Sequence, residues 1–416
     1  MLSSKNAKSI LLILVAVEML SVTYMLMLPA LAWLASVLNL LAGVGISILL
    51  LRAPGKDSQR QIQYPLRSSF NSYMILISAA FIFFIGKNIL SNIPMNYKVA
   101  DMLPIIKVMN RRFLDGQWDQ VYNPIPEIWN GIKPIYLPAM WVPFSAAVML
   151  NIDLRWITMI SLWLSWIACI SWLRPKKKDG NDLFYLSILF LFLGWLLLGD
   201  ERHGYISFSE EPLVAFYYIL LVYALINEQY WLIGIGTFLC FFSRYALIGW
   251  VPAFMIYLIQ CGKMKQLVIF MSSGLICLLL LVILPFGWNA FEQFFHLPAE
   301  YIKFAGNIWK DYPEVYTDGP GLAKFFGPGR MGQLHLTLII LTIMIPCLLA
   351  LYSYYRKKNQ DNSNIPLATL KLTVVIFYNF IDVPFLYLFY TSCFISLFTS
   401  GYFLRAEEYR PVSAQA

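Results

Sequence analysis

Apolar residues fall in long blocks along this chain, with polar residues gathered between them. The apolar runs lie near 10–28, 30–51, 72–90, 153–173, 183–198, 212–228, 230–243, 246–260, 266–288, 335–355, 367–381 and 383–403. A helix of about 20 apolar residues crosses the hydrocarbon core of a bilayer. The pattern therefore predicts an all-α polytopic transmembrane bundle of about 12 segments, forming one domain over 1–416. Runs 183–198 and 230–243 are short and predict broken or half-spanning helices. The first run follows Lys5 and Lys8 like a secretory signal, with Ala30-Leu31-Ala32 resembling a cleavage site. It is long for that role, contains Glu18 and is followed at once by another run, so both are expected as membrane helices.

The basic residues give the expected orientation. They gather at Lys5 and Lys8, from Arg52 through Lys56 to Arg67, from Arg174 to Lys178, at Lys263 and Lys265, from Arg356 to Lys358, and at Arg405 and Arg410. Placing every group in the cytoplasm gives one consistent topology with both termini inside. The condition is that 136–150 does not cross, which makes it an interfacial or re-entrant helix. Three segments then face outward in a cell (inner) membrane: 91–150, 199–211 and 289–334.

Composition agrees with this reading. The chain is 59% hydrophobic and 13% charged, where soluble domains carry about 25% charged residues. The net charge of +8 predicts contact with anionic lipid headgroups rather than nucleic acid. All six cysteines lie in or beside apolar runs and are expected to be free packing residues. No zinc-type spacing and no glycine-rich phosphate loop is present in the sequence.

The first outer segment holds the densest chemistry. Met102, Ile105, Ile106, Met109 and Phe113 recur at helical spacing, with Lys107, Asn110, Arg111 and Arg112 opposite. An amphipathic helix on the membrane surface is predicted, with Asp101 at its N-cap and Pro104 in its first turn. Asp101 is thus either a helix cap or a reacting carboxylate. Val121-Tyr-Asn-Pro-Ile-Pro126 and Gly131-Ile-Lys-Pro-Ile-Tyr-Leu-Pro138 follow. Their prolines and tyrosines predict a rigid, shaped loop, or else an aromatic belt.

This arrangement of an acidic first outer loop, an interfacial helix and a Tyr-x-Pro segment resembles the GT-C superfamily of membrane glycosyltransferases. The stretch 121–144 is similar to glycosyltransferase family 87, the polyprenyl-phosphate-mannose-dependent type, and a weaker likeness runs through Glu210-Glu-Pro212 and Ser243-Arg-Tyr245. The resemblance implies a hexose, mannose foremost, carried on a polyprenyl-phosphate donor. It implies inverting transfer to a hydroxyl of a glycan or glycolipid acceptor on the extracytoplasmic face. Asp101 matches the family's first-loop acid. Many GT-C enzymes carry paired acids there, whereas Met102 follows Asp101 here. A lone carboxylate argues against a divalent metal, so no cofactor beyond the lipid-linked sugar is expected.

On that reading Asp101 is the general base. Arg244 is the leading phosphate contact, unless it merely snorkels to the interface. Tyr245, His335, Arg330 and Lys324 are further candidates on the donor-phosphate side. Tyr122, Tyr136, Glu201, His203 and Glu210 are candidates for sugar or acceptor binding, with a solvated turn as the simpler account of 199–211. Asp382 reads as a turn residue, and Glu18 as an intramembrane charge in need of a partner. Two other readings stay open: a polymerase or ligase of lipid-linked glycans, and a lipid or sugar transporter or flippase. The last would show midplane charges and internal symmetry.

Overall fold

The computed structural model describes residues 4–52, 69–129, 131–173, 180–356 and 364–406. Helices dominate, and among the described residues no strand forms beyond one isolated bridge between Ile125 and Ile132. In chain order the main helices are α1 (Ser4–Ser21), α2 (Ala32–Arg52), α3 (Ser69–Asn92), α4 (Met102–Leu114), α5 (Arg155–Ile170), α6 (Gly180–Leu198) and α7 (Glu211–Ile226). They continue with α8 (Tyr230–Phe241), α9 (Trp250–Gln260), α10 (Met264–Leu278), α11 (Leu297–Asp311), α12 (Met331–Arg356), α13 (Ile365–Asn379) and α14 (Tyr390–Ala406).

Each of the twelve apolar runs carries a helix. Six helical segments are long and apolar enough to cross a membrane: Asn6–Met27, Pro29–Arg52, Ser72–Asn92, Gly180–Leu198, Met264–Trp288 and Pro328–Tyr355. Most of the remaining apolar helices are shorter, at 10–17 residues. Among the basic groups, those from Lys56 to Arg67, Arg174 to Lys178, Lys357 with Lys358, and Arg410 lie outside the described residues.

Helix α13 is the pillar of the bundle. All fifteen of its residues are buried, and it packs against α2, α9 and α12. Its one charged residue, Lys371, reaches Glu18 of α1, with Nζ 2.5 Å from Oε1. Lys371 also donates to the Ser392 carbonyl at 2.9 Å and hydroxyl at 2.6 Å. Ser392 and Ser396 donate to the two Glu18 oxygens at 2.6 and 2.5 Å. Glu18 thus has the cross-bundle partner that its position required, and every lone charge in the knot is matched. A second close approach joins α9 to α12. A Cβ placed on Gly249 would lie 1.7 Å from the Thr342 carbonyl oxygen, so only glycine fits there.

The segment predicted to stay out of the spanning set breaks into Pro138–Trp141, Val142–Phe144 and Ser145–Met149. A continuous helix of that length would reach about 18 Å, well short of a hydrocarbon core. Trp141, Phe144 and Ala147 are buried, and the segment packs on α4. That cover changes the expected face of α4. Its buried residues are Leu103, Ile105, Ile106, Met109 and Asn110, so Asn110 belongs to the inner side and not to the polar one. Asn110 Nδ2 donates to the carbonyls of Ile106 and Trp141, both at 2.9 Å, which makes its burial tolerable.

Candidate active site

One end of the bundle gathers the three long connecting segments, and two cavities meet there. The first, about 760 Å³ in volume, is the more polar of the two, with charged side chains set among apolar walls. Asp101, Tyr136, Glu201, His203 and Arg244 all line it, joined by Glu300, Tyr301 and Tyr387. The second, about 580 Å³, is walled mainly by phenylalanine, leucine and isoleucine, with Tyr245, His335 and Asp382 at its polar points. Ile135, Tyr136, Arg244 and Tyr301 line both, so these four side chains form the shared wall.

Asp101 occupies the residue before α4, but its side chain makes no capping hydrogen bond. Its backbone is already near-helical, at φ −93° and ψ −13°, which turns the carboxylate away from the free N–H groups of the first turn. The side chain lines the polar cavity instead. Burial pushes its pKa up, opposed by backbone hydrogen bonding and by the Trp129 indole N–H. Trp129 itself sits at φ 47°, a left-handed backbone that a bulky residue adopts only under constraint. Its ring meets Tyr97 edge-on at 5.9 Å.

Arg244 neither snorkels nor stands free. It lies in extended backbone between α8 and the turn Tyr245–Ile248. Its Nε donates to Glu211 Oε1 at 2.7 Å, and its Nη2 donates to Glu210 Oε1 at 3.0 Å and closely to Glu211 Oε1. Both carboxylates are fully buried, and Thr391 Oγ1 donates to Glu211 Oε2 at 3.3 Å. One cation facing two carboxylates leaves the cluster formally negative. Burial and the neighbouring Glu211 push the Glu210 pKa up against the pull of Arg244, which favours a proton on that group. The expectation that Glu210 meets a sugar directly is corrected: it holds Arg244 from behind and is not in the cavity wall.

His335 and Asp382 form a second pair. His335 Nδ1 lies 2.6 Å from Asp382 Oδ2, and Asp382 is 2% exposed. Asp382 is therefore more than a turn residue: it fixes the imidazole that faces the apolar cavity. With Nδ1 engaged, Nε2 is the nitrogen left for a ligand.

The segment 199–211 is not a solvated turn. Asp200, His203, Ser207, Ser209, Glu210 and Glu211 are all buried. The Asp200 carboxylate accepts the backbone N–H groups of Ile206 and Ser207 at 2.6 and 3.0 Å. His203 Nδ1 accepts the Tyr205 N–H at 3.3 Å, while Nε2 meets the Trp195 carbonyl at 3.1 Å. Those partners require the neutral Nε2–H form, and burial lowers the His203 pKa to match. Glu201 is exposed at the cavity rim.

The remaining candidates lie outside the cavity of Asp101. Tyr122 lines a separate cavity, and its phenol oxygen accepts the Trp141 indole N–H at 3.2 Å. Tyr245 donates to the Phe294 carbonyl at 2.7 Å. Lys324 lines none of these cavities; it donates to the Gly319 carbonyl at 2.8 Å, and burial lowers its pKa to about 8. Arg330 is exposed and likewise outside them. Both were expected near the phosphate, and neither lines the cavities that Arg244 and His335 line. Glu300, Tyr301, Tyr387 and Trp129 were not singled out from the sequence. Trp129 and Tyr387 sit in short turns whose spacing gives no periodic signal, while Glu300 and Tyr301 lie in the first turns of α11, a helix within a segment read from its Gly and Pro as a turn-rich loop. Comparison with protein-family models, curated proteins and solved structures gives no match.

Proposed function

We propose that this chain is a membrane glycosyltransferase of the GT-C type. It moves a hexose, mannose foremost, from a polyprenyl-phosphate donor to a hydroxyl acceptor on the extracytoplasmic face, with inversion. In this reading the twelve apolar runs cross or enter the membrane, both termini are cytoplasmic, and the end bearing the three long segments faces out. The observation that carries it is the shared wall: a cavity bearing a carboxylate abuts an apolar one with room for the first isoprene units of a prenyl chain.

The chemistry follows from that adjacency. The prenyl chain lies among the phenylalanines of the apolar cavity, its phosphate at the wall of Tyr136, Arg244 and Tyr301, and its sugar beside Asp101. The acceptor oxygen attacks the anomeric carbon as the bond from that carbon to the phosphate oxygen breaks. Asp101 takes the acceptor's proton, and the bonding electron pair leaves on the phosphate. Burial raises the basicity of Asp101, which suits a proton acceptor. The groups facing the phosphate are His335 Nε2, which donates only when the ring paired with Asp382 carries both its protons, and any Arg244 N–H left free by Glu210 and Glu211. Arg244 therefore holds the wall in place as much as it meets a ligand.

A transporter would use unsatisfied charges deep in the bundle. The deep pair Glu18–Lys371 lines neither cavity and is closed by Ser392 and Ser396, which favours the transferase. The test is transfer from a panel of polyprenyl-phosphate sugars in membranes, comparing the wild type with Asp101→Asn. Activity of the wild type that Asp101→Asn abolishes supports the reading. Equal activity in both removes Asp101 as the base.

A further inference from the structure

We infer that a third cavity, distinct from the one lined by Asp101, binds a neutral, hydroxyl-rich ligand of the size of a sugar ring or two. It encloses about 390 Å³, within the range of small-molecule sites. Its walls come from two segments far apart in sequence, 122–134 and 294–300. Tyr122 and Phe294, both largely buried, meet edge to face at 5.6 Å and give the cavity an aromatic floor against which sugar C–H groups can rest. Asn123, His296, Lys133 and Glu300 supply donors and acceptors around it.

Charge selects against ions here. Lys133 Nζ lies 3.0 Å from Glu300 Oε1, so the one cation and the one anion in the wall cancel. The site offers hydrogen bonds of both senses with no net field, which fits a polyol better than a phosphate or an amine. Lys133 and Glu300 also line the cavity of Asp101, so this ion pair is the partition between the two spaces. Both side chains are well exposed, at 46% and 39%, and a pair so wet is weakly held. Parting it would join the outer cavity to the carboxylate. On the transferase reading, the ligand is the acceptor waiting outside the reaction chamber. The binding itself does not depend on that reading.

The test uses the full chain in detergent and saturation-transfer NMR with the methyl α-glycosides of mannose, glucose and galactose, and with methyl glucuronide as an anionic control. Asn123→Trp fills the cavity from one wall, and His296→Trp fills it from the other. The backbone carbonyl of Asn123, not its side chain, takes the Arg112 guanidinium at 2.6 Å, so the first substitution leaves that bond intact. His296 precedes α11 without a side-chain cap bond. A neutral glycoside should bind the wild type and Asp101→Asn alike, and its signal should fall at least tenfold in both tryptophan variants. Thermal midpoints matching the wild type certify their folds. Four results would overturn the proposal: no glycoside bound by the wild type, the glucuronide bound best, binding unchanged in a folded tryptophan variant, or binding lost in Asp101→Asn. Loss of sugar transfer with glycoside binding intact would strike the transferase reading alone.

Discussion

The knot of Glu18, Lys371, Ser392 and Ser396 makes a stability prediction with a definite shape. All four side chains are buried, and Lys371 has an acceptor for each of its three N–H bonds: Glu18 Oε1, the Ser392 carbonyl and the Ser392 hydroxyl. Lys371→Met strands a carboxylate whose remaining donors are two serine hydroxyls. Removing one partner of a buried ion pair costs about 3–5 kcal/mol. Glu18→Leu strands the ammonium and should cost about the same. If the two sites acted independently, the double variant would lose about 6–10 kcal/mol. It should not, because it leaves no charge behind. The two serine hydroxyls can turn back to carbonyls one helical turn earlier, as Ser36 and Ser47 already do at 2.9 and 3.0 Å. The double variant should therefore lie within about 2 kcal/mol of the wild type, a coupling of at least about 4 kcal/mol. The assay is unfolding on titration of a denaturing detergent into mild micelles, followed by the emission of the 13 tryptophans. Additive losses in the double variant would refute the reasoning and mean that the pair is not closed on itself.

Other substitutions read other parts of the account. His335→Ala should raise the donor KM about tenfold or more, and Asp382→Asn, which leaves the imidazole in place but unoriented, should have a smaller effect of the same sign; acceptor KM moving instead would deny His335 the phosphate. Because Asp101 must be ionised to accept a proton and burial raises its pKa, the rate should climb with pH along a limb lying above the ordinary carboxylate value of about 4. Trp129→Phe removes a donor that favours the ionised form, so that limb should move to higher pH; a fixed limb would show that the indole does not act on Asp101. Gly249→Ala should destabilise the fold by about 1–3 kcal/mol or more, read as a lowered unfolding midpoint, since the added carbon meets a backbone carbonyl that cannot rotate away.

Much of the architecture could be read from the order of residues, and the places where it could not are instructive. Each of the twelve apolar runs carries a helix, and six helical segments are long and apolar enough to cross a membrane, where a helix satisfies its own backbone hydrogen bonds. Asp101 and Arg244 drew notice because each is polar beside apolar sequence, and they line one cavity. Lys371 escaped notice because its partner lies 353 residues away, and nothing local announces that meeting. Arg244 and Glu210-Glu211 were each visible, but not that they face one another, which turns a free cation into a neutralised one. Asn110 fell on the wrong side of α4 because the sequence did not reveal the 138–149 cover and its carbonyl at Trp141. The cap reading of Asp101 failed on a backbone angle, which a residue type suggests but does not fix.

The most direct test of the proposed chemistry is the rate of sugar transfer from a polyprenyl-phosphate donor by membranes bearing Asp101→Asn. General-base catalysis contributes about 10²–10⁴-fold, so the variant should lose that much rate while inserting and accumulating normally. An Asp101→Asn protein that turns over near the wild-type rate, or a wild type that transfers no sugar from any donor in the panel, would contradict the account.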